Sequence, residues 1–174
     1  MPRILFGPAL RILPLGLLAL SLQRLVFAQH PVNGVKLQFV LAVVVAAGAV
    51  GGPDRGAVVG FVLGLLYDLS GTTPLGLVAL AYGLGGMAAG YVHTLLPEPH
   101  WWMGSVFAAV GAAIGELAVP FLGQMIGESG WITPRLLVQI PIVAVAAGLM
   151  CPALMPVGRW MVGVKRKKWN VMVE

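Results

Sequence analysis

Charge is the scarcest commodity in this chain. Only 10% of its 174 residues are Asp, Glu, Lys or Arg, where an ordinary soluble domain carries about 25%. The single cysteine, Cys151, excludes an intrachain disulfide and a multi-cysteine metal site. No His/Cys/Asp group has metal-ligand spacing. No serine sits in a nucleophile motif, and Gly83-x-Gly85 lacks the strand context of a dinucleotide loop. His93 and His100 flank a Pro-rich break and read as interfacial residues. These absences leave little room for an enzyme, which needs a paired nucleophile and base.

What is abundant points to lipid. The chain is 59% hydrophobic, with a mean hydropathy of +0.92. One soluble core cannot hide that much apolar surface, so a bilayer is the expected solvent. Its 24 glycines and 13 prolines would break soluble helices but are frequent in membrane helices. At roughly 20 residues per span, the pattern is an all-α polytopic membrane protein with six transmembrane helices, at roughly 4–28, 35–50, 57–69, 74–95, 103–122 and 134–157. Residues 1–158 form the transmembrane domain and 159–174 a basic cytoplasmic tail. The first run has an early Arg3 and a signal-like Val26-Phe27-Ala28, but it exceeds an h-region of about 7–15 residues, so an uncleaved helix is expected. Arg11 and Arg24 within it are expected to snorkel or face the bundle.

Basic residues set the orientation. With six spans, one side holds Arg3, Arg55, Arg159, Lys165, Arg166, Lys167 and Lys168, and the other holds Lys36 and Arg135. Both termini of the multi-pass chain are therefore expected in the cytoplasm. The net charge of +5 comes largely from the tail. That fits a headgroup anchor or a docking site for a cytosolic protein, and argues against nucleic acid. Trp101 and Trp102 mark a membrane interface.

The most informative stretch is Gly52 to Gly90. Glycines recur every fourth residue at Gly52, Gly56, Gly60 and Gly64, which stacks them on one helix face. Each costs about 1 kcal/mol relative to alanine in a helix, so close backbone packing must offset them. That packing can be internal or against a partner's helix. On the partner reading, Gly60→Leu would abolish the complex and leave the fold intact. Gly86/Gly90 and Gly111/Gly115 repeat the spacing on the fourth and fifth spans. Thr73 and Pro74 are placed as N-cap and N1 of the fourth helix. Asp68 can accept N–H groups at that helix's N-terminus, hold a proton or cation, or meet a partner. Glu116 lies inside the fifth span and Arg135 starts the sixth, so an intramembrane ion pair between them is expected.

The block Gly60-Phe61-x-x-Gly64-Leu65-x-x-Asp68, followed by Pro74-Leu75-Gly76, Ala79-Leu80 and Gly86-x-x-x-Gly90, resembles the MreD family of bacterial rod shape-determining membrane proteins. The motif match covers Gly52 to Gly90; elsewhere the agreement is in hydropathy. Lys36-Leu37-Gln38 stands where that family often has a Pro-Asp or Pro-Asn pair, and Met87 where a tyrosine is common. The resemblance implies a fold similar to the substrate-binding subunits of energy-coupling-factor transporters. It also implies a non-enzymatic role without cofactor: binding the transmembrane helix of an MreC-type protein within the elongation machinery for peptidoglycan synthesis. MreB, RodA and a class B penicillin-binding protein would be direct or indirect partners. The residues carried over for partner or helix packing are Gly56, Gly60, Phe61, Gly64, Asp68, Pro74, Leu75, Gly76, Gly86 and Gly90. The alternative is a small-solute-binding membrane subunit of a transporter. It requires polar groups from different spans to converge on a cavity, and the candidates are Gln38, Asp68, Glu116 and Gln139.

Overall fold

A computed structural model describes residues 3–27, 37–71, 73–95, 101–127 and 133–164. The expected turn at 29–34, Lys36, the 97–100 break with His100, the loop residues Glu128 and Trp131, and the basic run from Lys165 lie outside the described residues. Among those described the fold is all-helical, with no strand. Helix α1 spans Arg3–Leu22 and continues as a π-helical segment, Gln23–Phe27. Then come α2 (Phe39–Gly51), α3 (Pro53–Ser70), α4 (Leu77–Gly90), a four-residue α5 (Val92–Leu95), α6 (Trp101–Met125) and α7 (Leu136–Val162). Two of these, α6 and α7, are long and apolar enough to cross a bilayer by length and composition.

The shortest of the major helices is the hub. Every residue of α2 from Val40 to Val50 is buried, and α1, α3, α4, α6 and α7 all pack on it. Its sequence, FVLAVVVAAGAVG, explains this position. A helix apolar all round has no face to offer a polar medium and sinks to the centre. Small residues then let its neighbours close in: a methyl group at Gly158 of α7 would sit 2.9 Å from Ala47 Cα, and one at Gly48 would strike the Gly86 carbonyl of α4. The first turn of α2 is satisfied from outside, by Gln23 Oε1 accepting from the Val40 N–H at 2.8 Å. At about 1.5 Å per residue, thirteen residues reach only about 20 Å.

Two glycines set the sharp corners. Gly52 alone separates α2 from α3, at φ +87°, and Pro53 starts α3 directly. An L-residue side chain is strained at such a φ. The expected turn over 51–56 is thus a single residue. Gly76, at φ +94°, delivers the chain into α4. The fourth helix accordingly begins at Leu77, not at Thr73-Pro74 as the local capping pattern predicts. Pro74 instead heads a tight turn, its carbonyl accepting from the Leu77 N–H at 3.2 Å.

Candidate functional site

The glycine-lined face of α3 is filled by α4 of the same chain. Gly56, Gly60 and Gly64 are all buried. A Cβ at Gly60 would overlap the Tyr82 carbonyl and approach Gly83 Cα to 2.9 Å. At Gly56 it would meet the Gly86 carbonyl carbon at 2.7 Å, and at Gly64 the Ala79 Cα at 2.5 Å. Across the seam, Gly86 abuts the Gly56 carbonyl and Gly90 abuts Gly52 and Pro53. These are backbone-to-backbone contacts, which no rotamer change can relieve. The expectation that Gly60→Leu spares the fold is therefore corrected: a leucine there has no room. On its far side α4 meets α6 in the same manner, a Cβ at Gly85 falling 2.8 Å from the Gly111 carbonyl oxygen and 3.2 Å from Gly115 Cα.

Asp68 closes the hairpin from inside. The residue is 2% exposed. Oδ1 accepts from the Thr73 hydroxyl at 2.8 Å. Oδ2 accepts from the backbone N–H groups of Gly76 (3.0 Å), Val78 (3.1 Å) and Ala79 (3.2 Å). A helix N-terminus leaves its first N–H groups without intrahelical partners and carries a partial positive charge. One carboxylate from α3 answers both, which is why α4 needs no adjacent N-cap side chain. Pro74 is half-buried and Leu75 exposed on the outside of this turn.

Beside the seam lies an apolar groove of about 380 Å³. Val58, Phe61 and Val62 of α3 form one wall, and Leu80, Leu84 and Met87 of α4 the other. Phe61 is exposed, although it belongs to the glycine motif. Gly83 also lines the groove, and a Cβ on it would find only ordinary contacts, 3.5 Å to the Ala57 carbonyl and 3.8 Å to Phe61 Cβ.

A second cleft is polar. It holds about 250 Å³ among Gln38, Tyr67, Thr73, Tyr82, Glu116, Thr133 and Gln139. The Tyr82 hydroxyl donates to Gln38 Oε1 at 2.6 Å, and Gln139 Nε2 donates to Glu116 Oε1. Glu116 is 3% exposed, yet its Oε2 has no hydrogen-bond partner. The Glu116–Arg135 pair does not form: Arg135 is exposed at the mouth of α7, and Gln139, one turn further on, takes its place. Three of the four polar candidates for a shared cavity, Gln38, Glu116 and Gln139, do converge here; Asp68 is turned away into the α4 cap. Tyr67 and Tyr82, which read as ordinary span residues, also line the cleft, their rings 6.0 Å apart. Nothing in the local sequence marks them, because three different helices bring them to Glu116.

Two other polar residues have structural partners. Arg24 donates to the Ser70 carbonyl and, at 3.1 Å, to its hydroxyl, covering the C-terminus of α3. His93 Nε2 donates to the Ala49 carbonyl at 2.9 Å. No group of three or more His, Cys, Asp or Glu that could hold a metal occurs among the described residues. No family model matches this chain, and neither a curated protein nor a solved structure does.

Proposed function

We propose that this chain is a six-span, non-enzymatic membrane scaffold of the MreD type, which holds the transmembrane helix of an MreC-type protein and so helps position the elongation machinery for peptidoglycan synthesis. The observation that carries this reading is the apolar groove beside the α3–α4 seam. It is flanked by Phe61 of the family-like motif and lined by Gly83, where a Cβ would meet only ordinary contacts. Small residues that admit a second backbone are the usual material of helix–helix contact in lipid. The bundle's exterior supports the membrane setting: Leu17, Leu18, Phe121, Met125, Leu137 and Leu149 are each more than half exposed, whereas soluble proteins rarely present extended apolar patches. With both termini cytoplasmic, the Asp68–Gly76 turn faces outward.

The test is co-expression of the full chain with a tagged MreC-type protein, followed by pull-down from solubilised membranes. Gly83→Leu projects into the groove from a position where a Cβ meets only ordinary contacts, and is expected to release the partner from a folded protein. A Gly83→Leu chain that stays in the complex would overturn the groove as the docking face.

The alternative, a solute-binding subunit, is favoured by one observation, the polar cleft at Glu116. Recovery of an ATPase pair instead of wall-synthesis proteins in the same pull-down would support it.

A further inference from the structure

We propose that the polar cleft walled by α3, α4, α6 and α7 and by Gln38 at the head of α2 binds a primary ammonium group through the free carboxylate oxygen of Glu116. The argument begins with the hydrogen-bond count. Glu116 Oε1 is engaged by Gln139, and Gln38 Oε1 by the Tyr82 hydroxyl, but Glu116 Oε2 is left without a donor. A buried acceptor in that state is costly, and a buried carboxylate more so unless a positive partner reaches it. Among the described residues none does: those lining the cleft include no Lys, Arg or His. Arg135, the nearest expected cation in sequence, is exposed and unpaired with Glu116. Arg24, in an adjoining recess of about 270 Å³ that shares Gln38, Tyr67 and Gln139, donates to Ser70. A ligand can supply the missing donor, and a free carboxylate oxygen beside the Gln38 and Gln139 amides suits a cation that carries N–H groups.

Size and position narrow the class further. About 250 Å³ accommodates a group of a few heavy atoms. Thr73, before α4, and Thr133, before α7, both line the cleft, so it sits at the end of the bundle where those connections lie. In a membrane-spanning bundle that end meets the headgroups. The shared chemistry is an ethanolamine-like ammonium, supplied either by a phosphatidylethanolamine headgroup or by a free amine. The site stands apart from the apolar groove, so its failure leaves the scaffold reading untouched.

The full-length protein is reconstituted in phosphatidylcholine nanodiscs, and its thermal midpoint is followed while ethanolamine is titrated. A parallel arm replaces part of the lipid with phosphatidylethanolamine. Choline, which lacks N–H donors, and ethylene glycol, which lacks the charge, are the controls. The wild type is expected to be stabilised saturably by ethanolamine if the source is a free amine, or by phosphatidylethanolamine alone if the source is lipid, and by neither control. Glu116→Gln puts an amide in place of the carboxylate and should weaken the effect roughly tenfold or more. Thr133→Trp, which blocks the mouth without touching the Glu116–Gln139 bond, should weaken it too and serves if Glu116→Gln fails to fold. Equal midpoints in every arm, choline matching ethanolamine, or stabilisation undiminished in the folded variants would each overturn the site.

Discussion

Gly60 and Gly83 meet across one helix pair, and their surroundings are opposite. A side chain at Gly60 would run into the backbone of α4; one at Gly83 would point into an open groove. Both are helical glycines in an apolar run, and both carry the same intrinsic penalty of about 1 kcal/mol relative to alanine. At Gly60 the penalty is offset inside the chain by the close approach of α4. At Gly83 no contact within the chain is too close for a methyl group, and the proposed partner helix is what would call for a glycine there. A glycine repeat in a membrane helix therefore announces a close backbone contact without saying whose backbone it is.

The largest effect should come from the closed side. Gly60→Leu, or the same change at Gly56, is expected to abolish recovery of a monodisperse, protease-resistant protein, because the clash is with main chain. A well-folded Gly60→Leu protein would mean that α3 and α4 do not touch as described. Next in size is Asp68→Ala, which strips the cap from four donors. Loss of a capping side chain costs about 0.5–2 kcal/mol, and the upper end is expected here, read as a lowered thermal midpoint. Asp68→Asn, which keeps one carbonyl oxygen, should recover part of it. On the open side, Gly83→Ala should leave stability unchanged or raise it by about 0.5–1 kcal/mol, while Gly83→Leu loses the partner. If Gly83→Ala destabilises as Gly60→Ala does, the distinction between the two glycines fails. Smallest of all is Arg135→Ala. With no ion pair to Glu116, it should shift stability by less than about 0.5 kcal/mol.

The helical class, the approximate helix positions and the α3–α4 hairpin were legible in residue pattern, since long apolar runs broken by Pro and Gly admit few other readings. So was the need for a tight contact at Gly56, Gly60 and Gly64. The identity of the contacting helix was not, because spacing along one helix carries no information about what lies against it. The central place of α2 follows from its uniform apolarity, from Val40 to Val50, but an apolar run alone does not separate a central helix from one that faces lipid. The start of α4 departs from the local capping pattern for a physical reason. Thr73 has the right chemistry for an N-cap, yet a carboxylate five residues earlier outcompetes it by reaching the N–H groups directly. Glu116 was visible as a buried acid, and its choice of Gln139 over Arg135 is a matter of one helical turn: Arg135 sits at the exposed start of α7, and Gln139, one turn on, lines the cleft. The polar cleft needed three dimensions, since α2, α3, α4, α6 and α7 each contribute to it.

The central claim is that the outer groove of α3 and α4, and not the glycine seam, receives another protein's helix. Its most direct test is site-specific photocrosslinking in cells expressing the chain with the proposed partner, an MreC-type protein, using a photoreactive residue at Leu84 in the groove and, as a control, at the exposed Leu149 of α7. A crosslink to the MreC-type protein from Leu84 and none from Leu149 is the predicted result. A crosslink from Leu149 alone, or from neither position in a complex that still co-purifies, would contradict the account.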